Sequence, residues 1–589
     1  MKRTIVVLVA AFLATPLAVH ALDTMTRVVS PVQTWEAADL ERFDPEWVQV
    51  KFVEGSNVLV EAGRFVDDTG LDLSHVNGTL TARSVDAVAP TFSWDRATLR
   101  HWKAIGERRA GTVGPDLSLW YDVRVEGGRE AVARLVNELN ADPAVEIAHP
   151  VAIPETAVIR EPVVDGRDPV GDDLLTPDFT GMQDYLYDTP VGLDGPSAWA
   201  IPGGTGVNVK FIDVEIGWTI DHEDFDTDNY FYEGGANFDP GYEPHGTAVL
   251  GEVIGQHNDF GISGFAPDVA YGVVAITVGE WPNVPHYFQE AVDALDPGDV
   301  WLIELQMYPS GRNATPMEWL QVNYDVIWTS SWALEIVCVE AGANGSQDLD
   351  DPSWGGVFDR NVRDSGAIMV AAGTPQGRVA EYFTNYGSRM DVHAWGSQIV
   401  TTGYGDLHND GTLQTRYTQQ FGGTSGASPM VTGSVACLQG IAKQNVSLTL
   451  SPIQLRTILH DTGIDHLDPN KEIGPRPDLA AASEAVLAFN AIEEPDRPAA
   501  AALTGAPNPF RDRARIRFSV PAAGDVRLAV YDATGRRIRT LIDGAVAAGP
   551  NQFTWDGRDD TGRPLGSGVY FYRLDGDGVR RTGAIRKIR

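Results

Sequence analysis

Apolar positions along this chain change their period several times, and each change predicts an element. Trp47-Val48-Gln49-Val50-Lys51-Phe52 alternates, with Val48, Val50 and Phe52 on one face, and residues 119–125 alternate in the same way, so both predict strands. Val132, Leu135, Val136 and Leu139 recur at helical spacing, Asp142-Pro143 stops that helix, and residues 145–148 predict another strand. Residues 152–190 are rich in Pro, Asp and Gly, show no period and read as a linker. From 191 to 490 the pattern becomes near-continuous apolar strands (207–212, 269–276, 300–305, 336–339, 368–372) with helical stretches between them, such as the face of Phe288, Ala291, Val292 and Leu295. Strands apolar on both faces predict an α/β domain with a parallel sheet covered by helices. A second linker spans 491–504, and short strands at 514–520, 525–531 and 568–574, separated by Gly-containing turns, predict a β-sandwich over 505–589.

Charge sharpens these boundaries. Residues 501–589 carry sixteen Lys and Arg against nine Asp and Glu, a net of +7, which leaves −43 of the total −36 on the residues before them. A strongly acidic body argues against nucleic acid as a partner. Two cysteines in 589 residues exclude a disulfide scaffold or a Cys-rich zinc site. At the N-terminus, Lys2 and Arg3, the apolar stretch from Ile5 to Leu17 and Val19-His20-Ala21 form a signal-peptide pattern over 1–21, cleaved after Ala21. That apolar run is shorter than the ~20 residues a spanning helix needs, so the expected location is secreted or cell-surface.

In a parallel sheet, functional groups gather at the carboxyl ends of strands. Asp213 ends the first such strand, His245 opens His245-Gly246-Thr247-Ala248-Val249-Leu250-Gly251, and Ser425 stands in Gly423-Thr424-Ser425-Gly426-Ala427-Ser428-Pro429. Taken singly, each reads as a cap or a turn. Together, in the order Asp, His, Ser, they make a catalytic triad. Ser425 would attack a carbonyl, His245 would take its proton and pass it to the leaving group, and Asp213 would hold the imidazole tautomer. Asn344, just past the strand at 336–341, and the Ser425 backbone N–H would be the oxyanion donors.

The two motifs, with Phe383-Thr384-Asn385-Tyr386-Gly387 and Met390-Asp391-Val392 between them, resemble the subtilisin-like serine proteases over roughly residues 190–485. The resemblance implies a three-layer catalytic domain, a secreted endopeptidase working through an acyl-enzyme on protein or peptide substrates, and no cofactor for the chemistry. It implies that 22–151, whose Leu135–Leu139 and Asp142–Glu146 stretches are similar to a propeptide, is an intramolecular inhibitor. It also implies that Leu305, Gln306 and Gly342 flank the substrate. The chain departs from the family pattern at Val214-Glu215 after Asp213, at Ala343 before Asn344 and at Gln306-Met307 where glycines are usual. The departures around Asp213 and Asn344 keep open a catalytically silent fold serving as a binding or adhesion module, and an esterase or amidase would use the same residues.

Many relatives carry structural calcium, and Asp348-Leu349-Asp350-Asp351 has the oxygen chemistry for it; a solvated loop is the alternative, and no ligand set is assigned. Cys338 and Cys437 lie at similar depths from the site, which permits a disulfide as well as two buried thiols. Pro507-Asn508-Pro509-Phe510, Val530-Tyr531-Asp532 and Gly568-Val569-Tyr570-Phe571-Tyr572 resemble the Ig-like modules of flagellar hook-cap or type IX sorting type, which implies contact with secretion or cell-surface machinery; a stalk is the alternative.

Overall fold

The computed structural model describes residues 28–157, 175–277, 284–489 and, from 503 to 587, all but 507–509, 512, 521–523, 532–535, 548, 567 and 577–578. The expected signal peptide, most of the second linker and Pro507-Asn508-Pro509 lie outside these residues. Two compact units divide the chain, Met1–Ala491 and Ile492–Arg589.

The first unit begins with a small α/β fold built from β1 (Phe43–Phe52), α1 (Ser74–Ala82), β2 (Val85–Pro90), α2 (Arg96–Ala110), β3 (Trp120–Val125), α3 (Arg129–Asn140) and β4 (Val145–Ala152). Its four strands form an antiparallel sheet in the order β2-β3-β1-β4. The alternation in β1 does what it predicts: Val48, Val50 and Phe52 are fully buried. On α3, Val132, Leu135, Val136 and Leu139 form the buried stripe. After β4 the chain turns into β5 (Glu155–Thr156), inside the stretch expected to be a linker. Tyr185 and Leu186, near the end of that stretch, are buried as well. Composition misleads here because strand pairing uses backbone groups, which Pro- and Asp-rich flanks do not reveal.

The central sheet has seven parallel strands, arranged β14-β13-β12-β9-β6-β8-β7. In chain order the elements that matter are β6 (Lys210–Glu215), β7 (Tyr230–Gly235), α4 (Glu243–Ile254), β8 (Ala270–Ala275), α5 (Val284–Asp293), β9 (Val300–Ile303), β10 (Leu305–Met307), β11 (Thr315–Pro316), α6 (Gln321–Trp328), β12 (Val337–Ala341), β13 (Ile368–Gly373), β14 (Val392–Trp395) and α7 (Thr424–Ile441). Phe211, Val337, Val339, Val370 and Ala372 pack with residues of α4 and α7 on one face. On the other face Ile212, Val214, Trp301, Ile303 and Met369 share one core with α5, α6 and the N-terminal fold, including Val48, Val50 and Leu135.

Close fits accompany that shared core. The Trp328 ring fills the space beside Gly106 and Gly114, where an added Cβ would lie 2.4 and 2.3 Å from ring carbons. Trp120 Nε1 donates to Asp325 Oδ2 at 2.9 Å, and buried Lys51 pairs with Glu146 at 2.8 Å. Cys338 and Cys437 are both free and lie in the cores on opposite faces of the sheet, which closes the disulfide alternative.

In the second unit, Leu503–Ala506, Ala514–Val520 and Gly549–Trp555 form a three-stranded antiparallel sheet. Arg537–Val546, Gly524–Tyr531, Gly568–Gly576 and Val579–Lys587 form a four-stranded one. Ile516, Phe518, Leu528, Val530, Trp555, Tyr572 and Ile585 make a single core between them, the expected sandwich.

Candidate active site

β6 carries two acidic residues on one face at its carboxyl end, because Asp213 and Glu215 are two positions apart and the strand period is two. The strand runs on to Glu215, so Asp213 sits one step deeper than its place at the end of the predicted strand. His245 is the third residue of α4, in a helix opened by Pro244. Its Nδ1 is hydrogen-bonded to Glu215 Oε2, and Phe421 packs edge-on against the ring at 5.5 Å. The carboxylate beside His245 is therefore Glu215, not the expected Asp213. Asp213 Oδ2 instead accepts from Trp218 Nε1 at 2.8 Å. Burial, and next the nearby Glu215 carboxylate, push the Asp213 pKa well above the usual aspartate value, favouring its neutral acid.

Ser425 is the second residue of α7, behind Gly423, whose φ of 102° is one that side chains rarely adopt. Asn344 lies just past β12 and is held on three sides. Its Oδ1 accepts from Thr424 N at 3.0 Å, its backbone N–H donates to Gln306 Oε1 at 3.0 Å, and its Nδ2 donates to the Ala157 carbonyl. The Ser425 backbone N–H points at that same carbonyl, at 3.4 Å. Ala343, in front of Asn344, takes φ 66°, the left-handed turn for which glycine is the usual residue.

Residues 155–157 thus lie in the cleft as an extended strand. β5 pairs antiparallel with β10, Thr156 opposite Leu305 and Glu155 opposite Gln306, and Ala157 N donates to Glu304 O at 3.2 Å. Of the residues expected to flank a substrate, Leu305 and Gln306 meet this strand. Gly342 is placed deeper: its N–H goes to Val370 O at 2.8 Å, and a Cβ there would stand 2.6 Å from the same oxygen.

The family model for subtilases matches residues 68–483, more than half of the chain. The chain belongs to the subtilase family. A model of the FlgD Ig-like domain matches residues 511–577, within the sandwich. This subtilase is 28% identical over 224 residues to an extracellular protease of Xanthomonas campestris pv. campestris, covering 37% of this chain and 36% of the relative. It is 28% identical over 267 residues to the alkaline elastase YaB of a Bacillus species, covering 44% of this chain and 60% of the relative. The chain thus spans between about a third and three fifths of the length of these two. Among solved structures it is similar to fervidolysin from Fervidobacterium pennivorans, described as a keratinolytic enzyme related to subtilisin, at 16% identity and TM-score 0.45, covering 93% of this chain and 77% of that one.

Three further residues lie around the subtilase site without a role assigned from sequence. Glu304 is fully buried, and its carboxylate accepts from the Ser428 hydroxyl. Burial first, and then Asp213, raise its pKa well above the usual glutamate value. Glu252, on the helix that carries His245, is fully buried with neither carboxylate oxygen hydrogen-bonded, and burial followed by Glu304 raises its pKa. Asn385, within the Phe383–Gly387 segment, donates to Gly342 O at 2.9 Å and Ala314 O at 3.0 Å and so ties down the loop that holds Asn344. A glutamate in an otherwise apolar strand is the one signal that pointed toward Glu304.

No group of three or more His, Cys, Asp or Glu side chains able to hold a metal occurs among the described residues. The acidic run at 348–351 binds backbone amides: Asp350 accepts from the distant Ser388 N at 2.8 Å, and Asp351 from the nearby Ser353 N at 2.8 Å.

Proposed function

We propose that this subtilase is a secreted serine endopeptidase that cuts its own chain between Ala157 and Val158, with Glu215, His245 and Ser425 as its triad. The observation that carries the reading is the Ala157 carbonyl, which receives the Asn344 side-chain amide and the Ser425 N–H together, at the end of a strand paired to β10. Two donors on one peptide carbonyl, one of them the backbone of a serine, are what an oxyanion hole needs. Ser425 Oγ adds to the Ala157 carbonyl carbon while His245 takes its proton. The oxyanion forms against Asn344 and the Ser425 N–H, and His245 then protonates the departing amine of Val158. A water, deprotonated by the same imidazole, releases the acyl group from Ser425. Glu215 orients His245 through Nδ1 and stabilises its charged form.

The N-terminal fold acts as propeptide and inhibitor in this reading, because the strand it feeds into the cleft fills the place of a substrate. The signal-peptide pattern at residues 1–21 supports export. The departure after Asp213 that kept a silent fold open loses its force, since the residue it introduces, Glu215, is the one bonded to His245.

The test is the intact mass of the secreted protein beside its Ser425→Ala variant. The wild type is expected to lose everything through Ala157 and the variant to retain it. Two proteins that both keep that segment would overturn the reading.

A further inference from the structure

The residue before the proposed cut is held between two walls. Its N–H is bonded to Glu304 O, just before β10, and its carbonyl to the Asn344 side chain, beyond β12. Gln306 bridges these walls. Its backbone lies in β10 opposite Glu155, and its side chain crosses so that Oε1 accepts the Asn344 backbone N–H at 3.0 Å. The other end of the same amide donates to the Tyr308 hydroxyl at 3.2 Å. With both ends of the amide held and only 2% of the residue exposed, the side chain has no ready path aside. Ala157 has 0% exposure, so a longer side chain at that position must displace atoms already in place.

We infer that Gln306 is a specificity-determining residue that limits the residue before the cut bond to a small side chain: alanine, serine or glycine. The inference rests on the peptidase reading and names its substrate class. Met307 and Leu305, the neighbours of Gln306 in β10, lie in the core shared with the N-terminal fold. Gln306 is therefore the residue of this strand whose side chain reaches the Asn344 wall.

The test uses the full chain and follows self-cleavage over time by intact mass. Ala157→Phe is expected to slow the cut by about 10- to 100-fold, the usual range for misfitting side-chain bulk in a pocket. Adding Gln306→Gly to Ala157→Phe is expected to restore most of the rate, whereas adding Gln306→Glu, of equal length and also an acceptor for the Asn344 N–H, is expected to leave it slow. Cleavage of Ala157→Phe at the wild-type rate, or no recovery with Gln306→Gly, would overturn the inference.

A second measurement is independent of how those variants fold. Processed wild-type enzyme is given peptides carrying Pro-Glu-Thr-X before the cut, with X as Ala, Ser, Leu or Phe. Alanine and serine should exceed leucine and phenylalanine by at least about 10-fold in kcat/KM. Equal rates refute the size limit while leaving the peptidase reading intact. No cleavage of any peptide or of the junction is a different result: it removes the peptidase reading, and this inference with it.

Discussion

Replacing Glu215 by Gln keeps the size of the side chain and a hydrogen-bonding oxygen beside His245 Nδ1, but it removes the charge that steadies the imidazolium. With charge centres about 4 Å apart and an effective dielectric of about 20, that attraction is worth about 4 kcal/mol, or roughly a thousandfold in rate. Amide-for-carboxylate exchange in a serine triad also lets the wrong imidazole tautomer form, and its typical cost is about 10⁴ in kcat. The expected fall for Glu215→Gln is therefore about 10³ to 10⁴ in kcat, with KM little changed because no substrate contact is lost. Asp213→Asn makes the contrast. Asp213 favours its neutral acid and is bonded to Trp218, so an amide of the same shape should cost less than about tenfold. The assay is cleavage of a peptide that carries Pro-Glu-Thr-Ala before the cut bond and continues beyond it, with kcat and KM read for both variants at the same pH. If Asp213→Asn causes the large loss and Glu215→Gln the small one, the assignment of Glu215 as the partner of His245 is wrong.

Three other changes probe separate parts of the argument. Asn344→Ala removes one oxyanion donor and should lower kcat by about 10²–10³, seen in the same peptide assay with KM nearly unchanged. Glu252→Met replaces a buried carboxyl whose folded pKa is raised; the wild type loses stability as pH climbs from the unfolded value of about 4.3 toward the folded one, so the stability advantage of the variant, followed by melting temperature, should grow as pH rises above that value, by at most about 1.4 kcal/mol per pH unit. A pH-independent advantage would contradict this. Gly106→Ala drives a methyl against the Trp328 ring and should cost about 1–3 kcal/mol, measured as a lower melting temperature of the Ser425→Ala chain.

Much of the first unit could be read from apolar periodicity, because buried parallel strands such as β9 and β13 are continuous apolar runs and α3 has one clean stripe. The positions of His245 and Ser425 at helix starts and of Asn344 in a loop were legible for a related reason: short helix-opening and loop motifs fix backbone geometry locally. The carboxylate that stands beside His245 was not. Asp213 and Glu215 share a face of β6, and choosing between them depends on where the strand ends relative to His245, a tertiary fact. β5 was hidden for a similar reason. Two residues have no measurable period, and their partner strand lies far along the chain in β10. Glu304 and Gln306 could be noticed as unusual residues, but their roles appear only once Ser428 and Asn344 are placed beside them.

The core shared by the N-terminal fold and the seven-stranded sheet has a temporal consequence. The N-terminal fold has the more local sheet, its four antiparallel strands all lying within residues 43–152. It can then serve as a surface on which parallel strands, whose partners are distant and whose pairing is intrinsically slow, condense. If the proposed cut after Ala157 occurs, the shared core comes to be formed by two chains instead of one. Once unfolded and diluted, a processed molecule has to find its template in a bimolecular encounter. Its endurance is then set by how slowly it comes apart rather than by any balance with a returning chain.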